Sequence, residues 1–382
     1  MISLELTREQ KKLIRKTQEL VREEICPRAL ALDKQGDDQF DWSLINIISQ
    51  HNLVCPTIPR EYGGQGLDHL TTALVMEEIA AGCAGLAAVI DANMHAASPI
   101  ILAGSEEQKA TFLPLLGSFN AAVAAFALTE PQAGSDVESV ATLAQLDGDE
   151  YVISGRKDFV LNASAASFFS VFAATDSRSK RASLRAFILT PNAAGLVVGP
   201  NKIKLGLRYA NTAELNLHQV RVAGNRVVGG DRAGSGYLLL TQTFDRGRAL
   251  VGATAVGIAR AAYEMARDHA RDRIQFGKPI AKHQSIAFAL AEMATKIELA
   301  RLITWKACWL IDREQDYTSA SSMAKLVSSQ VAQEVTAMAA DIMGGQGYLA
   351  HSPADKYLRD ARVLSTIEGT NHIQKAIIAS LL

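Results

Sequence analysis

The chain has 382 residues, with 39 basic against 40 acidic side chains, 48% apolar and 21% charged residues. That length allows two or three structural units, and the apolar share excludes a largely disordered chain. The near-neutral balance excludes a broadly basic nucleic-acid binder, a local patch excepted, while frequent Ala and scarce aromatics point to closely packed helices.

The first third reads as helix. Thr7-Arg8-Glu9-Gln10 has the pattern of a capping box, and Leu13, Thr17, Leu20, Val21 and Ile25 then share one helical face. Asp41, Asp68 and Ser105 start later helices, the last with a second capping box ending at Gln108. Pro59 to Gly64 is a loop broken by paired glycines. The most apolar stretch, Cys83 to Gly104, is interrupted by Asp91, Asn93 and His95 and reads as short of a membrane span. Met1 to Glu5 lacks the basic and apolar regions of a signal peptide, so a cytoplasmic protein is expected.

From about Asn120 the texture changes to short β-forming runs: Tyr151 to Ile153, Phe168 to Phe172, Ala186 to Leu189 and Leu215 to Val222. Turn signals at Asp147-Gly148-Asp149 and Pro191-Asn192 separate them, which predicts a small antiparallel β domain. After Gly234-Ser235-Gly236 the helical period returns, over 237–271, 283–314, 318–343 and 354–380, the pattern of a four-helix bundle. The expected organisation is an N-terminal helical domain over 1–119, a middle β domain over 120–230 and a C-terminal bundle over 231–382, with the β part lying between two helical layers of one subunit.

Several chemistries are excluded. No GxGxxG opens a helix after a strand, and there is no Walker A, HExxH or GxSxG motif. Cys26, Cys55, Cys83 and Cys308 form no CxxC and the eight histidines show no ligand spacing, so buried free thiols and no metal are expected.

Two segments remain. Phe126 to Val137 runs from an apolar strand into a loop turned by Pro131 and Gly134, offering main-chain N–H groups with the hydroxyls of Thr129 and Ser135. It suits either a ledge for a planar ring edge or phosphate, or a capped strand-ending turn. Ile367 to Gln374 opens the last helix. Glu368, beside Ile367, is either a general base with a raised pKa or an acid placed at a helix N-terminus; Gly369 permits close approach by a ligand and Thr370 can cap.

Together these segments resemble the acyl-CoA dehydrogenase flavoproteins, the short- and medium-chain enzymes most nearly. The resemblance extends in order over Pro59 to Gly66, Phe126 to Ser135, Gly155 to Asn162, Phe244 to Arg248, Arg273 to Gly277, His283-Gln284, Ile342 to Gly345 and Glu368 to Thr370. It implies a mostly α fold with a central β domain and FAD between that domain and the bundle. Phe126, Leu128, Thr129, Gly134 and Ser135 would border the flavin, with Phe159, Val160 and Leu161 beside it and Thr370 and Asn371 near it. Arg273, Phe276, Gln284, Asp341, Gly344 and Gly345 would hold the adenosine end of FAD in a second subunit, which requires a dimer and commonly gives a tetramer.

The resemblance also implies an activity in fatty-acid metabolism. Glu368 would remove the α-proton of an acyl-CoA thioester while the β-hydride passes to flavin N5, leaving a trans-2-enoyl thioester. The Glu368 N–H and a ribityl hydroxyl would stabilise the thioester carbonyl. Ser135, Asp245, Arg248 and Gly369 would line the substrate path, the Asp91 to Ala97 region would contribute to the pocket floor, and an electron-transferring flavoprotein would take the electrons. Some relatives place the base where Gly247 stands, and glycine cannot serve. Leu161, Ala210, Asp341 and His372 depart from the usual residues. The first two point to alternatives on the same fold: an acyl-carrier-protein dehydrogenase, an enoyl-CoA reductase or an oxygen-using oxidase. A non-catalytic binding subunit is the third reading, opposed by the intact Glu368 and Thr129 to Ser135 loop.

Overall fold

The structure, a computed structural model, describes residues 5–34, 40–178, 180–230 and 234–382. Six helices come first: α1 (Arg8–Leu20), α2 (Cys26–Lys34), α3 (Ser43–Ser49), α4 (His69–Gly82), α5 (Ala84–Ala103) and α6 (Glu106–Phe112). Both expected capping boxes form, Thr7 with Gln10 and Ser105 with Gln108. Eight strands follow with one short helix among them: β1 (Val123–Ala127), β2 (Leu143–Asp147), β3 (Glu150–Leu161), β4 (Ala166–Ala174), α7 (Lys180–Ser183), β5 (Leu184–Leu189), β6 (Leu196–Asn201), β7 (Thr212–Ala223) and β8 (Val227–Val228). The last part holds α8 (Ser235–Asp272), the hairpin β9 (Ile274–Gln275) and β10 (Lys278–Pro279), then α9 (Gln284–Ile311), α10 (Thr318–Met343), α11 (Pro353–Arg362) and α12 (Asn371–Ser380).

The helical, β, helical order is as expected, but four features differ. The sheet runs β6-β7-β3-β2-β4-β5-β8 and is mostly antiparallel, yet β1 pairs with β4 in parallel and β2 touches β4 in parallel at Leu143 and Ala174. The β2–β3 hairpin intervenes between β1 and β4 and supplies the long connection a parallel pair needs. The sheet also does not separate the helical parts. α4 packs directly on α8, where a Cβ at Gly257 would meet the Glu77 carbonyl oxygen at 2.3 Å, so only glycine allows this approach. Arg260 of α8 reaches Glu78 across that contact at 2.6 Å, and Arg301 of α9 grips Glu77 through Nη2 and Nε (Nη2 to Oε1 at 2.9 Å, Nε to Oε2 at 3.1 Å). One apolar core spans both helical parts, and a second lies inside the sheet.

The expected fourth helix is broken. α11 stops at Arg362, a tight turn follows over Val363–Ser365, and Glu368 (φ 54°) and Gly369 (φ 83°) reverse the chain before α12. Thr370 then caps α12 by accepting from the Ile373 N–H. Helix α5, finally, does reach the length and mean hydropathy of a membrane span, but 72% of its apolar window is buried inside the protein. It is a core helix, and its polar residues serve internal contacts: Asn93 accepts from the Ala124 N–H and donates to the Val54 carbonyl. The four cysteines are free, as expected, although Cys26 is exposed rather than buried.

Candidate active site

The break between α11 and α12 carries Glu368 into the space between α5 and α8. Several groups hold that loop. Arg248 Nε donates to the Glu368 carbonyl at 3.3 Å, Gln374 donates to the carbonyls of both Glu368 and Gly369, and Lys325 Nζ donates to the Gly369 carbonyl at 2.8 Å. Asn371 Oδ1 accepts from Lys325 and Ser329, each at 3.0 Å. Asp245 in turn holds Arg248 and accepts from Thr318. Asp245 and Arg248, expected along the substrate path, are thus buried braces of the Glu368 loop. Thr370 and Asn371, expected near the cofactor, already use their side chains as a cap and an acceptor in that loop.

The Glu368 side chain, 17% exposed, reaches a residue that the sequence reading left out as a site residue. His95 Nε2 lies 3.0 Å from Glu368 Oε2, and His95 Nδ1 lies 2.9 Å from the Asp91 carbonyl oxygen and 3.5 Å from Asp91 Oδ2. The carboxylates and imidazole form a compact buried cluster against the rings of Phe126 and Phe244, centred 5.8 and 6.5 Å from that of His95. Phe126 therefore packs on the His95 side of the site.

The electrostatics correct one expectation. Burial pushes the Glu368 carboxyl up, but His95, Arg248 and Lys325 more than offset this, and its pKa is lowered rather than raised. Burial depresses the His95 imidazole, but Glu368 and Asp91 outweigh that and raise it to about 10. Asp91 is raised to about 7, chiefly by burial against the opposing pull of His95, and burial brings Lys325 down to about 8. The resting pair is a Glu368 carboxylate against a His95 imidazolium. The i, i+4 spacing of Asp91 and His95 within an otherwise apolar helix was the signal available for them.

A cavity of about 140 Å³ opens beside His95, between α5, α8 and the start of α4. Met94, Ile101 and Leu250 form its apolar wall, and Asp91, His95 and Gly247 its wall nearest the base. Asp91, Met94 and His95 are the residues of the Asp91 to Ala97 stretch that line this cavity.

A second surface lies on the sheet. The loop after β1 is fixed by a buried pair: Lys157 Nζ donates to Glu130 Oε1 at 2.7 Å and to the Leu128 carbonyl at 3.0 Å. Glu130 also accepts from the N–H groups of Ala141 and Thr142, and the Asp158 N–H donates to the Thr129 carbonyl. Burial draws Lys157 down to about 8; burial raises Glu130, but Lys157 brings its pKa below the usual range. The loop so held leaves the Thr129 hydroxyl without a protein partner among the described residues, and leaves Gly134 and Ser135 exposed. Leu128 and Val160 are buried, and Leu161 is half-buried. Phe159 takes a left-handed φ of 52° that presents a 62% exposed ring, with Lys202 Nζ 5.0 Å from its centre. Ala210 is buried.

The third group sits at one end of the bundle. Phe276 (φ 51°) and Gly277 (φ 75°) occupy the tip of the β9–β10 hairpin, the tight two-residue turn that demands left-handed backbone at both positions. Phe276 is 94% exposed, Arg273 and Gln284 are exposed beside it, and no carboxylate pairs with Arg273 among the described residues. Asp341, Gly344 and Gly345, at the end of α10, are exposed too, and a Cβ at either glycine would meet nothing. Exposed aromatic faces, open glycine rims and an uncommitted hydroxyl suit a large planar group with a charged tail. The sequence-predicted residues thus fall into these three sets rather than one cluster.

Comparison with known proteins places these features in one family. Residues 7–120, 125–220 and 234–382 match the N-terminal, middle and C-terminal domain models of acyl-CoA dehydrogenase. The bovine (Bos taurus) mitochondrial short-chain specific acyl-CoA dehydrogenase is 36% identical over 381 residues, covering 100% of this chain and 91% of that protein. Butyryl-CoA dehydrogenase from Megasphaera elsdenii superposes with a TM-score of 0.95 at 34% identity, over 100% of this chain and 99% of that one. An acyl-CoA dehydrogenase from Bacillus anthracis complexed with FAD gives 0.91 at 28% identity, over 100% and 68%. The chain belongs to the acyl-CoA dehydrogenase family of oxidoreductases, whose cofactor is FAD.

Proposed function

We propose that this protein removes the α-proton and β-hydride of an acyl-CoA thioester to give the trans-2-enoyl thioester, with Glu368 as the base. The observation that carries this reading is the Glu368 carboxylate, held ionised beside the cavity by a loop whose carbonyls at Glu368 and Gly369 are fixed by Arg248, Gln374 and Lys325. An ionised carboxylate is ready to take a proton, and its exclusion from bulk water raises the value of each fixed charge around it.

Main-chain geometry supports the polarising half of the step. Arg248 and Gln374 occupy the Glu368 carbonyl, whereas the Glu368 N–H has no acceptor among the described residues. It is left to a thioester carbonyl, whose developing negative charge an N–H donor stabilises. Thr129, Ser135, Phe159 and Leu161 would hold the flavin ring. Arg273, Phe276, Gln284, Asp341, Gly344 and Gly345 would hold the adenosine end across a subunit interface, Arg273 as a fork on the diphosphate. FAD, when bound, supplies the hydride acceptor. Such sharing makes the active form at least a dimer, with tetramer the fuller proposal. Electron-transferring flavoprotein is the proposed acceptor, and cytoplasmic fatty-acid metabolism the proposed setting.

The test is anaerobic titration of the bound flavin with acyl-CoA thioesters of graded length and branching. Bleaching by at least one of them is expected. Bleaching only by acyl-carrier-protein thioesters, or reduced flavin that reoxidises in air within seconds, would replace the reading by the carrier-protein enzyme or the oxidase.

A further inference from the structure

Resting on the reading just given, we infer that the acyl group this pocket accepts is short and carries an oxygen function, a hydroxyl or carboxyl, rather than a plain alkyl chain. Size gives the first half. A cavity of about 140 Å³ is close to the engineered cavity of about 150 Å³ that admits benzene, so a tail of about six heavy atoms fills it.

Chemistry gives the second half. Two residues that line the cavity each bury a polar atom with no hydrogen-bond partner: Asp91, 8% exposed, at Oδ1, and Arg246 at Nε. Asp91 sits on α5 and Arg246 on α8, so the two come from different elements. Ser98, on the same wall of α5 one helical turn past His95, adds a hydroxyl. Arg246 Nε can only donate, so it calls for an acceptor. Asp91 Oδ1 accepts when ionised, and it can donate when protonated, a state that a pKa of about 7 makes accessible. An oxygen function meets both demands: a hydroxyl accepts from Arg246 and donates to ionised Asp91, and a carboxylate accepts from Arg246 and from protonated Asp91. A methyl or isopropyl end offers neither group a partner, and a buried polar atom left unpaired is the costly case. Sites that hydrogen-bond a substrate group reject the analogue lacking it far more strongly than apolar pockets sort methylenes.

The test compares kcat/KM for three near-isosteric pairs of CoA thioesters on the FAD-loaded enzyme: 4-hydroxybutyryl against pentanoyl, 5-hydroxypentanoyl against hexanoyl, and glutaryl against 5-methylhexanoyl. At least one pair is expected to favour the oxygen-bearing member by about tenfold or more. Asp91→Leu and Arg246→Met should each shrink that ratio by about fivefold or more, and Arg246→Met leaves the His95 contacts in place should Asp91→Leu fail to fold. The pair that responds separates hydroxyl from carboxyl. Ratios below tenfold in all three pairs, or a ratio that survives both substitutions, overturn the inference while flavin bleaching by the alkyl thioesters leaves the dehydrogenase reading intact. Failure of all six thioesters while a longer acyl-CoA bleaches the flavin overturns the inference alone, and failure of every acyl-CoA overturns both.

Discussion

A Cβ at Gly247 would lie 2.1 Å from His95 Nε2, so the histidine that meets the base occupies the volume a side chain on α8 would need. Relatives that carry the base at this helix position therefore use space that here belongs to His95. Gly247→Ala should push the imidazole off Glu368, slow flavin reduction by about tenfold or more and lower stability by about 1–3 kcal/mol, the usual range for an overpacked core. Gly247→Glu combined with Glu368→Gly should not restore activity. Stopped-flow reduction and thermal melts check both; wild-type reduction by Gly247→Ala would show that His95 has no part in the step.

Glu368→Gln should retain the fold and bind FAD, since Arg248 and Gln374 hold the backbone of residue 368 and not its carboxylate. Flavin reduction should fall by about three orders of magnitude or more, because the proton acceptor is gone. Near-normal reduction by this variant would move the base elsewhere.

The His95 contact sets a pH dependence in two directions. The lowered pKa of Glu368 keeps it ionised, so reduction should lose rate only as pH falls below the ordinary carboxylate range. His95→Gln removes the cation, leaves burial to dominate and moves this acid limb to higher pH. Stability runs the other way. His95 is raised from 6.5 to about 10 on folding, so its contribution is complete below pH 6.5 and lost as pH rises through 10. The wild-type melting temperature should exceed that of His95→Gln most near pH 6.5, and the two curves should draw together toward pH 10.

The sequence made the fold and the base legible for different reasons. Capping boxes, helical periods and turn signals are local, so they marked α1, α6, α10 and the β-rich middle without knowledge of packing. The strand near Leu215 to Val222 even shows its bulge: the apolar alternation changes parity between Leu217 and Val220, where Gln219 takes φ 52°. What stayed hidden depends on which helices meet. Asp91 and His95 look like interruptions of an apolar helix until α8 presents Gly247 and the α11–α12 break presents Glu368. The bracing of the Glu368 loop by Arg248, itself held by Asp245, likewise shows only once α8 and that loop are seen together.

Leu161 is half-buried at the end of β3, where the family commonly has a hydroxyl near the flavin. Leu161→Thr adds a hydrogen-bond donor at that edge and should shift the flavin midpoint potential or change reoxidation by at least about threefold. Spectroelectrochemical titration and air reoxidation read this directly. Unchanged potential and kinetics would make Leu161 a neutral replacement.

Lys157 and Glu130 offer a test of what holds the flavin-side loop. Both are buried, and Glu130 binds the N–H groups of Ala141 and Thr142 as well as Lys157. Lys157→Met keeps the length of the side chain but strands a buried carboxylate, a change that costs about 3–5 kcal/mol when one partner of such a pair is removed. It also frees the Leu128 carbonyl next to Thr129, so FAD affinity should fall together with stability. The double variant Lys157→Met/Glu130→Gln removes both charges and should recover most of the stability, because Gln can still accept from one N–H. Recovery of stability without recovery of FAD affinity would assign the salt bridge to positioning of the Thr129 loop. Recovery of neither would show that the Glu130 carboxylate is needed for its main-chain contacts whether or not lysine is present.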